Sequence, residues 1–263
     1  MPTLFIPHGA GPCFFMEWTM GPKDTWERLA TWLRSIDGSL PETPRALLVV
    51  SAHWETTAPT VLASSHPPLL YDYSGVPKHT YELEWAAPGS PELATRIVAL
   101  LSAAGIEAKT ETTRGFDHGV FIPLKVAYPD AQIPTVQLSL RAGLDPAAHL
   151  AIGRALAPLR DEGVLIIGSG LSFHNMSAFR GGGGGSASLE FDGWLTSVVE
   201  KDAEERDAAL AAWSTAPSAR ASHPREEHLL PLMVAAGAAE NDPGKSVFRD
   251  VVMGTTVSAI RFG

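Results

Sequence analysis

The chain has 263 residues, of which 45% are hydrophobic and 19% charged, a composition typical of an ordinary globular protein. Its 20 Lys and Arg residues against 29 Asp and Glu residues give a net charge of −9, which disfavours nucleic acid and anionic membranes as partners. No stretch reaches the roughly 20 apolar residues of a membrane span. Cys13 is the only cysteine, which excludes an internal disulfide and a thiolate zinc site. We therefore expect a cytoplasmic protein.

The predicted secondary structure alternates between strands and helices along the chain. The first half contains strands at Thr3–Ile6, Leu47–Ser51, Thr60–Ala63 and Glu107–Thr112, a helix at Asp24–Ile36 and a second helix that Ser90 caps and Gly105 ends. The second half contains a turn at Gly115–Gly119, strands at Ile133–Leu140 and Val164–Ile167, helices at Pro146–Leu159 and Leu189–Glu205, a helical segment opened by His223–Pro231 and two strands about Gly254. This order predicts an α/β fold, a single domain over residues 1–263 with a mixed, mostly parallel sheet flanked by helices.

Two stretches are predicted to be irregular. The run from His66 to Gly89 is rich in aromatic residues and proline and has no sustained periodicity, which is typical of a lid or binding loop. The glycine-rich stretch Arg180–Ser188 predicts a mobile surface loop. No functional role is predicted for four histidines: His66, His79, His149 and His223. Of these, His149 is expected on or near the outer face of its helix.

Three of the predicted strands share one construction. Each is a short apolar run that ends in small residues and is followed by a histidine: His8, His53 or His174. Apolar runs without polar alternation predict strands buried on both faces. Ligands bind at the carboxyl edge of open α/β sheets, so the three imidazoles would converge on one cleft if the strands are neighbours.

Histidines without cysteines indicate a metal site for zinc, iron, copper or nickel. His118 and His228 could join the three strand-end histidines. Two histidines and a carboxylate with open positions are typical of non-haem Fe(II) enzymes that activate dioxygen. The candidate carboxylates are Glu226, Glu227 and Asp117. Compact zinc patterns such as His-Glu-x-x-His do not occur in the sequence.

Motifs for nucleotide binding and for a serine nucleophile fail on inspection. Gly168-Ser169-Gly170 follows a strand, but Phe173 stands where a dinucleotide-binding motif needs its third glycine. The same stretch lacks the final glycine of a nucleophile elbow, because His174 occupies that position. The histidines therefore remain the chemistry-bearing residues.

Five motifs in order resemble the class III extradiol ring-cleaving dioxygenases, and within them the DOPA 4,5-dioxygenase-like branch. The motifs are His8-Gly9-Ala10-Gly11-Pro12, Ser51-Ala52-His53-Trp54, Gly115-Phe116-Asp117-His118-Gly119, Gly168-Ser169-Gly170 to His174-Asn175, and Glu227-His228-Leu229-Leu230-Pro231-Leu232. Ala10 departs from the serine usual in that family. The resemblance implies a metal held by His8, His53 and His228, with His174 as a further ligand in a zinc-loaded resting form. Glu227 remains a competing ligand.

The resemblance also implies a reaction. We expect an Fe(II)-dependent enzyme that opens a catechol-type ring with O2 to give a semialdehyde. His174 would be the principal acid/base, and His118 the second proton carrier. Phe14, Trp54 and Asp117 are expected to contact the substrate, although core packing explains Phe14 about as well. The alternative is a zinc-dependent hydrolase that uses the same histidine pocket.

Overall fold

The computed structural model describes residues 1–181 and 184–263. Its strands are β1 (Thr3–Pro7), β2 (Ala46–Thr56), β3 (Thr60–Leu62), β4 (Lys109–Glu111), β5 (Thr135–Arg141), β6 (Val164–Gly170), β7 (Gly244–Val252) and β8 (Thr255–Phe262). Its helices are α1 (Glu27–Arg34), α2 (Pro91–Ala103), α3 (His118–Ala127), α4 (Pro146–Leu156), α5 (Met176–Gly181), α6 (Gly185–Val199), α7 (Ala203–Ala211), α8 (Ala219–Ser222) and α9 (Leu230–Ala238).

The strands form one sheet in the order β4-β3-β5-β2-β6-β1-β8-β7. The four central strands β5, β2, β6 and β1 are parallel to one another, whereas β8 and β7 continue the sheet as an antiparallel pair. The predicted α/β class with a mixed, mostly parallel sheet is therefore confirmed. Strands β2, β6 and β1 are direct neighbours, so the predicted strand ends before His53, His174 and His8 lie side by side in the sheet. Strand β2 itself continues past His53 to Thr56.

Helices cover both faces of the sheet, and the alternation of side chains along β2 shows how. Leu47 and Val49 pack into a core shared with α1 and α3. Leu48 and Val50 point to the opposite face and pack with α2, α4, α6 and α9. Burying one such side chain stabilises the fold by roughly 1.5–3 kcal/mol, so a run without polar alternation requires helices on both sides.

The helix starts show which capping predictions are confirmed. Ser90 accepts a hydrogen bond from the backbone N–H of Leu93 at 3.2 Å and so caps α2 as predicted. The helix predicted at Asp24–Ile36 is shorter in the structure, because α1 begins only at Glu27 and ends at Arg34. The last two residues of the turn predicted at Gly115–Gly119 are helical, since His118 is the first residue of α3.

Two further predictions are corrected. The stretch Arg180–Ser188 is not a continuous loop, because α5 extends to Gly181 and α6 begins at Gly185, while residues 182 and 183 lie outside the described part. His149 is fully buried rather than on an outer face. Its Nδ1 donates to the carbonyl of Asp145 at 2.7 Å and its Nε2 accepts from the N–H of Arg141 at 3.1 Å. Burial lowers the pKa of His149, so a neutral ring joins α4 to β5.

Within residues 1–181 and 184–263, the structure has no helix with both the length and the apolar character needed to cross a bilayer.

Candidate active site

Three histidines from separate parts of the chain meet at the carboxyl edge of the sheet. His8 directly follows β1, His53 lies within β2, and His228 precedes α9 by two residues. One ligand nitrogen of each lies within 4.8 Å of the other two. The Nε2 atoms of His8 and His53 are 3.2 Å apart. The sequence-based expectation that strand-end imidazoles converge therefore describes the structure for His8 and His53.

The end of β6 brings His228 to this cluster. The N–H of Leu171 donates to the carbonyl oxygen of His228 at 3.0 Å. A Cβ on Gly170 would overlap that same oxygen, so glycine at this position allows the two backbones to approach. The glycine at the end of β6 thus allows His228 to reach the site.

Hydrogen bonds to Nδ1 orient two of these rings. Nδ1 of His8 donates to the carbonyl oxygen of Gly9 at 2.9 Å, and Nδ1 of His228 donates to Oε1 of Glu227 at 2.9 Å. With the proton on Nδ1, Nε2 of each ring carries the lone pair, which is the usual arrangement in a histidine that ligates a metal.

The three rings are held neutral by their surroundings. Burial lowers the pKa of His228 to about 4, with neighbouring His174 adding to the effect. Burial likewise places the pKa values of His8 and His53 well below the ordinary histidine range. Three neutral imidazoles that face one point form a donor set for a divalent transition metal, so the residues fit such an ion.

His174 and Glu227 lie beside this group. The ring of His174 stacks on that of His228, with centroids 3.4 Å apart, and its Nδ1 is 3.3 Å from Oε1 of Glu227. Burial alone would raise the pKa of Glu227, but hydrogen bonds from His174 and His228 outweigh it and hold the pKa well below its usual range. Glu227 is therefore an ionised carboxylate that contacts the Nδ1 side of both rings.

His118 faces the cluster from the start of α3. Its ring centroid is 3.9 Å from that of His53. Gly119 makes this contact possible, because a Cβ there would lie 2.5 Å from Oγ of Ser51 and 3.0 Å from Cδ2 of His53. Oδ1 of Asp72 accepts from the backbone N–H of His118 at 2.9 Å and from its Nδ1 at 2.8 Å.

Asp72 is a site residue that sequence reasoning missed. It lies in the irregular segment after His66, which the sequence had indicated as a binding loop, but nothing in the sequence paired it with His118. Its side chain is 22% exposed. Burial would raise its pKa, yet hydrogen bonds from His118 lower it, so the carboxylate stays ionised beside the ring.

A cavity of about 300 Å³ opens beside these histidines. His8, His53, His118, His174 and His228 form its inner wall. The remaining lining residues are Gly9, Ala10, Gly11, Pro12, Met20, Trp26, Tyr73, Ser74, Val76, Leu171, Met176, Phe179, Val252, Met253 and Val257. One wall therefore offers imidazole nitrogens, and the rest is mostly apolar.

The three residues expected to contact the substrate are not among those lining residues. Asp117 is fully buried and accepts from Ser51, Gln137 and Arg114. Trp54 faces the guanidinium of Arg114 at 4.9 Å. Phe14 packs edge-on against a tryptophan, Trp26, which itself lines the cavity. Asp117, Trp54 and Phe14 thus lie behind the wall.

Comparison with known proteins identifies the family. The profile described as "Catalytic LigB subunit of aromatic ring-opening dioxygenase" matches residues 2–262. The chain belongs to this family. It is a LigB-like class III extradiol dioxygenase, an aromatic ring-opening enzyme, which confirms the resemblance drawn from the five motifs.

Curated relatives and a solved structure agree with this assignment. The chain is 40% identical to "4,5-DOPA dioxygenase extradiol" of Beta vulgaris, over 90% of this chain and 86% of that protein. It is 36% identical to "Dioxygenase tasH" of Hapsidospora irregularis, over 100% of this chain and 85% of that protein. The crystal structure of JW3007 from Escherichia coli K12 superposes with a TM-score of 0.79 at 31% identity and covers 100% of both chains.

Proposed function

We propose that this protein is a non-haem Fe(II)-dependent extradiol dioxygenase that cleaves a catechol-type ring with O2 to a ring-opened semialdehyde. The observation that carries the proposal is the group of three neutral imidazoles, His8, His53 and His228, at the inner wall of a cavity. The relatives named as 4,5-DOPA dioxygenases support a dihydroxylated aromatic ring as substrate.

We propose that Nε2 of His8, His53 and His228 hold the iron. His174 does not share the 4.8 Å group with His8 and His53, and it stacks on the ring of His228. Glu227 contacts Nδ1 of His228, on the other edge of the ring from Nε2, which favours an orienting role over a ligand role. Fe(II) bound here would hold the catechol oxygens and O2 and would pass electrons between them. Zinc could hold the catechol but could not pass electrons, because it has no accessible redox change.

His174 is proposed as the principal acid/base. Its ring lines the cavity, and its Nδ1 faces the ionised carboxylate of Glu227. A proton taken from a catechol hydroxyl at Nε2 would create an imidazolium, and Glu227 would stabilise that cation. The same proton can then be returned to the oxygen that is released when the O–O bond breaks. A group of this kind typically contributes ~100- to 10,000-fold to the rate.

His118 is proposed as the second proton carrier. Its Nδ1 is engaged by Asp72, so only Nε2 can exchange a proton or a hydrogen bond with a molecule in the cavity. The backbone contact to the same carboxylate ties the ring to the first turn of α3. Asp72 is therefore a positioning residue that acts through His118.

The direct test is anaerobic reconstitution of the apo-protein with Fe(II) or with zinc, followed by addition of catechols and oxygen. The proposal predicts oxygen uptake and a coloured semialdehyde with Fe(II), and neither with zinc. Cleavage of an ester or amide by the zinc-loaded protein, independent of oxygen, would instead support the hydrolase alternative.

We further propose that residues 1–263 form one catalytic domain, because the cluster joins β1 near one end of the chain to the segment before α9 near the other. A cytoplasmic location also belongs to this proposal, since a chain with one cysteine gains no disulfide in an oxidising compartment.

A further inference from the structure

Three methionines from distant segments line the cavity. Met20 precedes α1, Met176 begins α5, and Met253 lies in the turn between β7 and β8. Met20 is 62% exposed and Met176 is 50% exposed. Exposed apolar side chains that are grouped at one cavity mark a surface that contacts a ligand, unlike apolar residues scattered singly over a surface. Methionine suits this role, because its flexible thioether adapts to apolar groups of different shape.

The backbone at Met253 is a second, independent observation. Val252 pairs with Thr255, so Met253 and Gly254 form a two-residue hairpin turn, and φ is 51° at Met253 and 76° at Gly254. Such a turn favours asparagine, aspartate or glycine at its first position. A methionine with positive φ works against the turn, while its side chain packs against the core and lines the cavity.

The side of the cavity away from the histidines offers few polar groups. Val252 and Val257 form part of it, and Tyr73 already donates its hydroxyl to the carbonyl of Thr80 at 2.6 Å. Among the lining residues that the structure describes, none is lysine, arginine, aspartate or glutamate. A charged substituent placed here would lose its hydration without gaining a partner, whereas an alkyl or aryl group would gain from burial.

We propose that the substrate is a catechol with an apolar alkyl or aryl substituent, and that Met20, Met176 and Met253 bind that substituent. This inference rests on the proposed function, and it differs from an amino-acid catechol such as DOPA. The two hydroxyl groups face the histidines, and the substituent points to the methionines. Each methylene buried there increases affinity about fourfold, which corresponds to roughly 0.8 kcal/mol.

The test is binding in the absence of oxygen, so that it does not depend on turnover. Isothermal titration calorimetry of the zinc-loaded protein measures the dissociation constants of 4-butylcatechol, L-DOPA and 3-(3,4-dihydroxyphenyl)propionate. We expect 4-butylcatechol to bind at least tenfold more tightly than either charged ligand. Equal or tighter binding of L-DOPA or of the propionate overturns the inference. Oxygen uptake by the Fe(II)-loaded protein separately tests the proposed function, and its absence does not change the affinity order.

Variants of the lining methionines test whether these side chains cause the preference for an apolar substituent. Met253→Asn gives the turn a residue that it favours, so the thermal midpoint should be maintained while affinity for 4-butylcatechol falls at least threefold. Met176→Lys should weaken 4-butylcatechol and strengthen the propionate. The control is Leu189→Gln, which removes an apolar side chain that is 55% exposed on α6 and is not a lining residue. An unchanged 4-butylcatechol affinity in both methionine variants contradicts the inference.

Discussion

One carboxylate oxygen, Oδ1 of Asp72, accepts hydrogen bonds from both the backbone N–H and the ring Nδ1 of His118. The two contacts fix where α3 begins and how the first side chain of that helix points. A loop residue thereby controls the orientation of an imidazole at the inner wall of the cavity.

Replacing this carboxylate should impair turnover without removing the metal. In Asp72→Asn a neutral amide oxygen replaces the charged acceptor, which weakens both hydrogen bonds that orient the His118 ring. We expect kcat to fall roughly 10- to 100-fold. Iron content and the KM for the catechol should change little. Glu82→Gln, in the same segment and exposed, is the matched control. A loss of iron in Asp72→Asn would show a role in metal binding instead.

The proposed ligand set predicts that some histidine variants lose the iron and that others keep it. His8→Ala and His53→Ala should not retain iron after desalting, because each removes one of three imidazoles that face one point. His118→Ala should keep the iron and lose ~100- to 10,000-fold in kcat. Metal analysis of the three purified variants tests the division. Normal iron content in His53→Ala would exclude it as a ligand.

The contact between β6 and the segment before α9 gives a prediction about stability. In Gly170→Ala the new Cβ would overlap the carbonyl oxygen of His228 and displace that residue. We expect the free energy of unfolding to fall by roughly 1–3 kcal/mol and the affinity for iron to fall with it. Gly193→Ala is the control, because no heavy atom lies within 4 Å of a Cβ there. It should leave stability unchanged or raise it by up to about 1 kcal/mol. Similar unfolding curves for the two variants would contradict this account.

The buried ring of His223 predicts a pH dependence of stability. Burial lowers its pKa from 6.5 to about 3, so the folded state keeps it neutral while the unfolded chain takes up a proton below pH 6.5. Its contribution to stability is therefore complete above pH 6.5 and is lost as the pH falls towards 3. Urea unfolding of the apo-protein from pH 7 to pH 4.5 measures this loss.

A variant isolates the contribution of this residue. His223→Gln should reduce the slope of unfolding free energy against pH by about 1.4 kcal/mol per pH unit below pH 6. His66→Gln, at an exposed histidine, should leave the slope as it is. Identical slopes in the wild type and His223→Gln would mean that the ring is protonated in the folded state.

The sheet and two of the three proposed ligands could be predicted because their pattern is local. An apolar run followed by small residues and a histidine is visible in the sequence around both His8 and His53. Parallel strands then bring their ends to one edge. The start of α2 could likewise be predicted, since a serine cap and a proline lie next to each other in the chain.

The remaining features depend on contacts between distant residues, which a periodic pattern does not report. His228 reaches the site through the carbonyl contact at Gly170, and only the family motifs had indicated its role. The pairing of Asp72 with His118 joins two segments 46 residues apart. His149 looked like a residue on an outer helical face, but two backbone hydrogen bonds allow it to be buried.

The most direct test of the central claim is a crystal structure of the Fe(II)-loaded protein, grown without oxygen and soaked with 4-butylcatechol. Anomalous scattering locates the iron and electron density locates the ring. The account predicts one iron bonded to Nε2 of His8, His53 and His228, with both catechol oxygens bound on its cavity side. Iron bonded instead to Glu227 and His174, or enclosed so that no catechol reaches it, would contradict the account.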